Sequence, residues 1–265
     1  MAVAGCGKNR GRRAVERAVK IDIWSDIVCP FCTIGKRHLQ LALDAFPHRD
    51  DVEIVWHSFE LDPAIEAAPT RPLVDSIAAK YGISREQSQA SQEDIARRAA
   101  AVGLTFNWQQ ARFGNTFDAH RLTHLAAAHG LGDEAQARLM SAYFTEGVAI
   151  GDPAELQRLG EEIGLPADEV RDLLAGDAYA DAVRGDEAQA QALGITGVPF
   201  FVLDDTFAVS GAQPVELFGQ ALAQAWEHAH PAAAAPGPAA AQGTSTADPT
   251  DAPTGSSCDG DACAL

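Results

Sequence analysis

The stretch VKIDIWSDIVCPFCTI, residues 19–34, joins a strand pattern to a helix pattern, and two cysteines lie at the junction. Apolar residues alternate with polar ones before the junction, which favours a strand. After the junction, apolar residues recur at helical spacing. Pro30 suits the first helical turn because the N–H that it lacks would be unpaired there. The order strand, cysteine pair, helix is the feature from which the rest of the sequence is interpreted.

The two cysteines of this junction, Cys29 and Cys32, lie one turn apart on the predicted helix. Two thiols held at that separation can form and break a disulfide. Free backbone N–H groups and the positive end of the helix dipole stabilise a thiolate at the helix start. We therefore expect Cys29 to be the nucleophile and the more exposed thiol, and Cys32 to resolve the mixed disulfide.

A second informative feature is the tripeptide Gly197-Val198-Pro199, which leads into two short apolar runs. Residues 200–203 and 207–210 are strand-like, and Asp204-Asp205 between them is typical of a turn. A loop that feeds a β-hairpin is predicted. Another strand is predicted at 52–59, so the chain begins with a strand–helix–strand unit.

Helical spacing dominates the middle of the chain, and Gly or Pro separates most of the segments. Helices are predicted at 73–81, 84–102, 115–129, 133–145, 153–163, 166–174, 178–193 and, after the hairpin, 214–230. The pattern predicts an α/β protein with a large all-helical insertion.

Four segments together resemble the FrnE group of DsbA-like proteins in the thioredoxin superfamily, over about residues 20–227. They are 23–36, 59–63, 115–122 and 194–201. The resemblance implies a thioredoxin-like core, a mixed sheet flanked by helices, and a cytoplasmic thiol-disulfide oxidoreductase. It also implies a cis Val198–Pro199 bond against the dithiol, a form that costs little before proline. The group usually carries Trp at the position of Phe31.

Further candidate site residues follow from placement and from the resemblance. The backbone of Val198 would pair with an extended substrate segment. Phe31 and His120 are candidates for a substrate groove, although for His120 the placement favours a core or surface histidine over a groove residue. Asp22 would lie under the dithiol and take the proton from Cys32 if its strand is central, and would be solvated if it is not.

Position 31 also bears on redox poise. Where DsbA has a histidine that can donate a hydrogen bond or positive charge to the thiolate, Phe31 can donate neither. We therefore expect a weaker oxidant than DsbA, closer to an isomerase or reductase.

The predicted domain organisation has five parts. They are a basic, disordered segment 1–19, core segments 20–62 and 194–230, the insertion 63–193 and a flexible tail 231–265. The tail is rich in Ala, Pro, Gly, Ser and Thr, and carries Cys258 and Cys263. Such a tether can bring this second cysteine pair to the main dithiol, so we expect a redox relay.

Composition excludes several classes of function. The chain has 265 residues, a net charge of −17 and a pI near 4.7, which argues against nucleic acid as a partner. No apolar stretch reaches the roughly 18 residues of a membrane span, and residues 1–19 lack the apolar region of a signal peptide. We expect a cytoplasmic protein without a membrane, metal or cofactor requirement. Protein thiols and disulfides are its expected substrates, and thioredoxin or glutathione its candidate redox partners.

Two alternative functions remain open on the sequence. Cys29, Cys32, Cys258 and Cys263 have spacings that a structural zinc site accepts. A glutathione-linked isomerase or transferase of the kappa or 2-hydroxychromene-2-carboxylate isomerase type has the same insertion in the same core. Such enzymes generally carry Ser at the position of Cys29, so two intact cysteines favour redox chemistry.

Overall fold

The computed structural model describes residues 18–67 and 71–231. This part of the chain forms a four-stranded sheet in the order β2-β1-β3-β4. β1 pairs parallel with β2 and antiparallel with β3, and β3 pairs antiparallel with β4. The strands are β1 Val19–Ser25, β2 Val52–Ser58, β3 Phe200–Leu203 and β4 Phe207–Ser210. The sheet is therefore mixed, as expected, and the strand that precedes the dithiol is central.

The α-helices of the described ranges follow the predicted segments closely. They are α1 Pro30–Asp44, α2 Leu73–Tyr81, α3 Arg85–Ala101, α4 Phe117–Ala128, α5 Gly132–Ser141, α6 Pro153–Ile163, α7 Ala167–Ala175, α8 Ala180–Ala192 and α9 Val215–Ala229. One prediction differs: the helix expected at 133–145 ends at Ser141 and widens into a π-helical turn, Ala142–Glu146. Both Tyr143 and Phe144 are buried in that turn.

The alternation of β1 assigns its side chains to two different environments. Ile21 and Ile23 point to the face covered by α1 and α9, where they pack with Leu39 and Phe218. Trp24 points to the opposite face and packs near α8, where its indole N–H donates to a backbone carbonyl at 3.2 Å. The sheet is thus covered on both faces, which explains why β1 is buried along almost its whole length.

The helices α2–α8 all lie between β2 and β3 in the sequence, which confirms a thioredoxin-like core with a helical insertion. The insertion shares one apolar cluster with the start of α1: Ile27 and Ile34 pack in the same cluster as Leu122 and Leu139. The boundaries at 62/63 and 193/194 stay predictions. Within the described ranges, every helix is too short or too polar to cross a bilayer.

A buried polar cluster holds α8 against the sheet. His57 on β2 lies between two carboxylates, with Nε2 2.7 Å from Asp22 Oδ1 and Nδ1 2.8 Å from Asp186 Oδ1. Burial lowers the pKa of His57, but the hydrogen bonds and charges of Asp186 and Asp22 outweigh it, and the net pKa is raised. Burial raises the pKa of Asp186, yet hydrogen bonds from His124, His57 and the Ser58 N–H depress it well below its usual range. The two shifts therefore favour an imidazolium on His57 and a carboxylate on Asp186.

We expect His57→Gln to lower the free energy of unfolding by about 1–3 kcal/mol at pH 6, because it removes the cation that Asp22 and Asp186 share and leaves them only their contacts with Lys20 and His124. A raised folded pKa means that the imidazolium contributes fully below the unfolded value of 6.5. The contribution is lost as pH rises through the folded value. Urea unfolding of both proteins at pH 6 and pH 9 should therefore show a smaller difference at pH 9.

The matched control is His129→Gln, which removes a 2.8 Å pair with Glu169 that is partly solvated. This change should cost less than about 1 kcal/mol. An equal loss at both pH values for His57→Gln would contradict the assignment.

Candidate active site

The first turn of α1 presents Cys29 as its N-cap residue, with Pro30 at the first helical position. The cap has extended backbone angles, φ −83° and ψ 114°, and its N–H donates to the Asp26 carbonyl at 3.1 Å. The Cys32 N–H donates back to the Cys29 carbonyl at 3.1 Å. The Cys29 sulfur therefore lies at the positive end of the helix dipole, as the sequence predicted.

The Val198–Pro199 peptide bond is cis, as the resemblance implied, and its loop lies against this turn. The Cys29 thiol donates to the Val198 carbonyl oxygen at an S···O distance of 3.6 Å. Pro199 is buried against Gly35 of α1: a Cβ at position 35 would lie 3.0 Å from Pro199 Cγ. Cys29 and Val198, which are 169 positions apart in the sequence, are thus in contact.

The second thiol, Cys32, differs from Cys29 in its electrostatics. Burial raises its pKa well above the ordinary value, and the hydrogen bond and negative charge of Cys29 raise it further. The Ser25 side chain and the Asp26 backbone oppose this shift only in part. Cys32 consequently holds its proton more tightly than an ordinary thiol.

A cavity of about 410 Å³ lies over Cys29. Cys29, Val198 and Tyr143 border it, and the insertion supplies apolar walls through Leu73, Ile77, Ile95, Phe106 and Phe113. Large apolar side chains are exposed at its margin: Phe31 by 40%, Tyr81 by 64% and Ile83 by 36%. The dithiol is therefore reached through an apolar chamber.

The expectation that Cys29 is the more exposed thiol is wrong. Cys29 is 2% exposed and Cys32 1%, because the insertion covers both. The two differ in access instead, since Cys29 lines the cavity and Cys32 does not. A reagent reaches Cys29 first, which keeps the predicted order of the two sulfurs.

His120 does not face the groove, and this candidate assignment is corrected. Its side chain is 1% exposed, and its Nε2 lies 3.4 Å from Asp26 Oδ1. The buried face of α4 turns His120 toward the loop that follows β1, beneath the dithiol. Of the two groove candidates, only Phe31 borders the cavity.

Asp22 is buried, as expected for a central strand, but its carboxylate has other partners. Asp22 Oδ1 lies 2.7 Å from His57 Nε2 and 2.8 Å from Lys20 Nζ. The groups that act on the thiol of Cys32 are Cys29, Ser25 and Asp26. The placement therefore does not support Asp22 as the proton acceptor, because the alternation of β1 turns it toward α8.

Sequence reasoning did not single out Tyr143. Burial raises the pKa of this tyrosine far above its usual range, and the negative charges of Asp26 and Cys29 add to the shift. Its hydroxyl therefore stays neutral beside the site. No signal in the sequence marks it, since an aromatic residue at helical spacing is typical of a core.

The remaining cysteines, Cys6, Cys258 and Cys263, lie outside the described residues. The relay and the four-cysteine zinc site both depend on Cys258 and Cys263, and both stay predictions. Within residues 18–67 and 71–231, no group of three or more His, Cys, Asp or Glu side chains is arranged to hold a metal ion.

Comparison with known proteins decides the family. A family model described as DSBA-like thioredoxin domain matches residues 20–223. The chain belongs to the DsbA-like thioredoxin domain family. Membership of the FrnE group within this DsbA-like family stays a prediction.

Individual relatives agree with the assignment to the DsbA-like family. The uncharacterised protein YwbO of Bacillus subtilis is 31% identical over 206 residues, which are 77% of this chain and 96% of that protein. The crystal structure of a probable DsbA oxidoreductase from Streptomyces coelicolor is similar with 47% identity and a TM-score of 0.75. That match covers 78% of this chain and 90% of the other.

A more distant solved structure shows how widely the fold occurs. A 2-hydroxychromene-2-carboxylate isomerase has a TM-score of 0.60 at 15% identity, over 79% of this chain and 97% of that chain. At that identity the likeness extends to the fold alone. The site residues, and not the fold, must therefore separate redox from isomerase chemistry in this DsbA-like protein.

We expect Gly35→Ala to displace the Pro199 loop from α1, because the new Cβ would lie 3.0 Å from Pro199 Cγ and 3.2 Å from Phe201 Cζ. Overpacking of this kind typically costs about 1–3 kcal/mol. Chemical denaturation measures the loss. Gly219→Ala on α9 is the matched control: nothing lies within 4 Å of its Cβ, so helix propensity should stabilise it by up to about 1 kcal/mol. Equal effects in the two variants would rule out the close approach at position 35.

Proposed function

We propose that this protein is a thiol-disulfide oxidoreductase that acts on protein disulfides through Cys29 and Cys32. One observation carries the proposal. The Cys29 sulfur, at the N-terminus of α1, lies 3.6 Å from the carbonyl of Val198 and opens into the apolar cavity. The resolving thiol lies buried behind it.

The proposed reaction exchanges sulfur–sulfur bonds with two electrons passing from the dithiol to the substrate. The Cys29 thiolate attacks one sulfur of the substrate disulfide, forms a mixed disulfide and expels the first substrate thiolate. Cys32 then loses its proton and attacks the Cys29 sulfur, which expels the second substrate thiolate. The same steps in reverse oxidise a substrate dithiol.

The electrostatics of Cys32 favour the second step only after the first has taken place. Besides burial, the hydrogen bond and charge of Cys29 raise the pKa of Cys32. The charge disappears when the Cys29 sulfur enters a mixed disulfide, because that sulfur is then neutral. Cys32 becomes easier to ionise at the stage when it has to attack.

The cavity supports an apolar polypeptide as substrate. An extended segment that pairs with the backbone of Val198 would place the side chain next to its cysteine at the cavity mouth. The exposed Phe31, Tyr81 and Ile83 border that mouth. We propose that the residue beside the reactive cysteine of the substrate is large and apolar.

Trapping tests the proposal. We expect Cys32→Ser to accumulate protein partners as mixed disulfides on Cys29, because the resolving step is removed. Mass spectrometry of the trapped peptides should show large apolar residues beside the linked cysteine. Cys29→Ser is the matched control and should trap nothing through position 32, because that sulfur is closed to the cavity. Trapping by Cys29→Ser as efficient as by Cys32→Ser would contradict the assigned roles.

The tail cysteines form a further part of the proposal, together with a cytoplasmic location and thioredoxin or glutathione as redox partner. The resemblance to the FrnE group supports each of these. We expect replacement of Cys258 and Cys263 by Ser to slow multiple turnover with thioredoxin as reductant. The single attack of Cys29 on a substrate should keep its rate, since the main dithiol is intact. Unchanged multiple turnover would remove the relay.

The isomerase alternative has no support from the site. Its fold is shared, but position 29 holds a thiol where such enzymes generally carry Ser. A resolving thiol behind the nucleophile has a use in disulfide exchange and none in an isomerisation of that type.

A further inference from the structure

A buried pair of ionisable side chains lies beneath the dithiol and has no part in the reaction described above. Asp26 and His120 are each 1% exposed, and His120 Nε2 lies 3.4 Å from Asp26 Oδ1. These two atoms have no hydrogen-bond partner within the described part of the chain. The other carboxylate oxygen of Asp26 accepts the Leu61 N–H at 2.7 Å. Burying a carboxylate so deeply is costly unless a compensating charge lies nearby.

The pair continues outward through a second carboxylate. The side chain of Glu60 is 1% exposed and accepts from Arg184 Nη1 at 2.6 Å and from Asn115 Nδ2 at 3.3 Å. Burial and the negative charge of Glu187 raise the pKa of Glu60, while Arg184 and the positive form of His120 oppose the shift only in part, so that the net pKa is raised. His120 therefore lies within electrostatic reach of both carboxylates.

These four groups alternate in sign from the dithiol toward solvent. Asp26 is followed by His120, then by Glu60, and finally by Arg184, which is 51% exposed. With His120 as an imidazolium and Glu60 ionised, these four charges sum to zero, and the exposed Arg184 also pairs with Glu187, with Nη1 2.6 Å from Glu187 Oε2. With a neutral His120, one uncompensated carboxylate would stay buried beside the active sulfur.

The negative charge of Asp26 acts close to Cys29. The Asp26 carbonyl accepts the Cys29 N–H at 3.1 Å, which holds the two residues in one turn. Burial raises the pKa of Tyr143, and negative charge on Asp26 and on Cys29 raises it further. Asp26 and Cys29 therefore both lie within electrostatic range of the same hydroxyl. A bare carboxylate at this position would oppose a thiolate on Cys29.

We propose that His120 is a positioning residue of the dithiol site, whose imidazolium neutralises Asp26 and so permits a thiolate on Cys29. The inference deepens the proposed function, since it assumes that Cys29 is the reactive thiol. The cation comes from α4, beneath the site, and not from position 31, where Phe31 carries no charge.

The other ionisable groups around Cys29 do not replace this cation. Cys32 on α1 and Tyr143 in the π-helical turn are neutral donors. The Lys80 ammonium at the cavity wall is bound to the Leu61 carbonyl and to Asp62, each at 3.0 Å. The Arg112 guanidinium donates to backbone carbonyls of its own loop. Within the described residues, none of these four groups is hydrogen-bonded to the Asp26 carboxylate.

The test is the pH dependence of alkylation of Cys29 by iodoacetamide in the full, reduced chain, followed by peptide mass spectrometry. We expect His120→Asn to move the midpoint upward by about half a pH unit or more, because the buried carboxylate is then unpaired. Asp26→Asn should move it downward. The double variant should return close to the wild-type midpoint, because the two replaced charges cancel.

The double variant also provides a test in case the single variant His120→Asn does not fold. If His120→Asn alone does not fold, the comparison of Asp26→Asn with the double variant measures the same charge, and the midpoint should rise when His120 is lost. His57→Asn is the matched control: it removes another buried histidine between carboxylates, and should change stability but not the midpoint. A structural role for His120 would behave like this control.

Two results would overturn the proposal: an unchanged midpoint in His120→Asn, or a double variant whose midpoint stays as low as that of Asp26→Asn. Alkylation requires no protein substrate. A failure of trapping with shifted midpoints would therefore reject the proposed function alone, and unshifted midpoints with successful trapping would reject the role of His120 alone.

Discussion

The contact between the Pro199 loop and the first turn of α1 is the constraint on which the site depends. It joins the two halves of the core, because β1 and α1 come before the insertion and β3 comes after it. Gly35 permits the close approach of Pro199, and Val198 then presents its carbonyl oxygen to the Cys29 sulfur. Without this docking, the cysteine pair would be an ordinary helix start with no wall beside it for a substrate.

The helical insertion makes two chemically identical thiols different. It buries both, and desolvation raises the pKa of Cys32. Cys29 differs in its place, at the N-terminus of α1. The apolar cavity reaches this site, and of the two thiols Cys29 borders it and Cys32 does not. Burial therefore provides the order of attack that exposure was expected to provide.

Two aspartates, one in the middle of β1 and one just past its end, show how backbone geometry distributes charge. Asp22 follows the strand alternation and joins His57 in the cluster that holds α8 against the sheet. Asp26 lies just past the strand end, where the chain turns toward α1, and it meets His120 from α4. One carboxylate contributes to stability far from sulfur, and the other lies where its charge affects the sulfur chemistry.

The sequence by itself determined the elements, the helix start at Cys29 and the hairpin after Pro199, because strand alternation, helical spacing and turn residues act over a few neighbouring positions. It also determined the family, through the motifs around Cys29 and Pro199. Only the tertiary structure decided that Asp26 and not Asp22 lies beside the dithiol, that His120 is buried and that Cys29 is covered. Those outcomes depend on contacts between residues that are far apart in the sequence and that packing of the insertion on the core brings together. A local sequence pattern does not encode which buried charged side chains will pair.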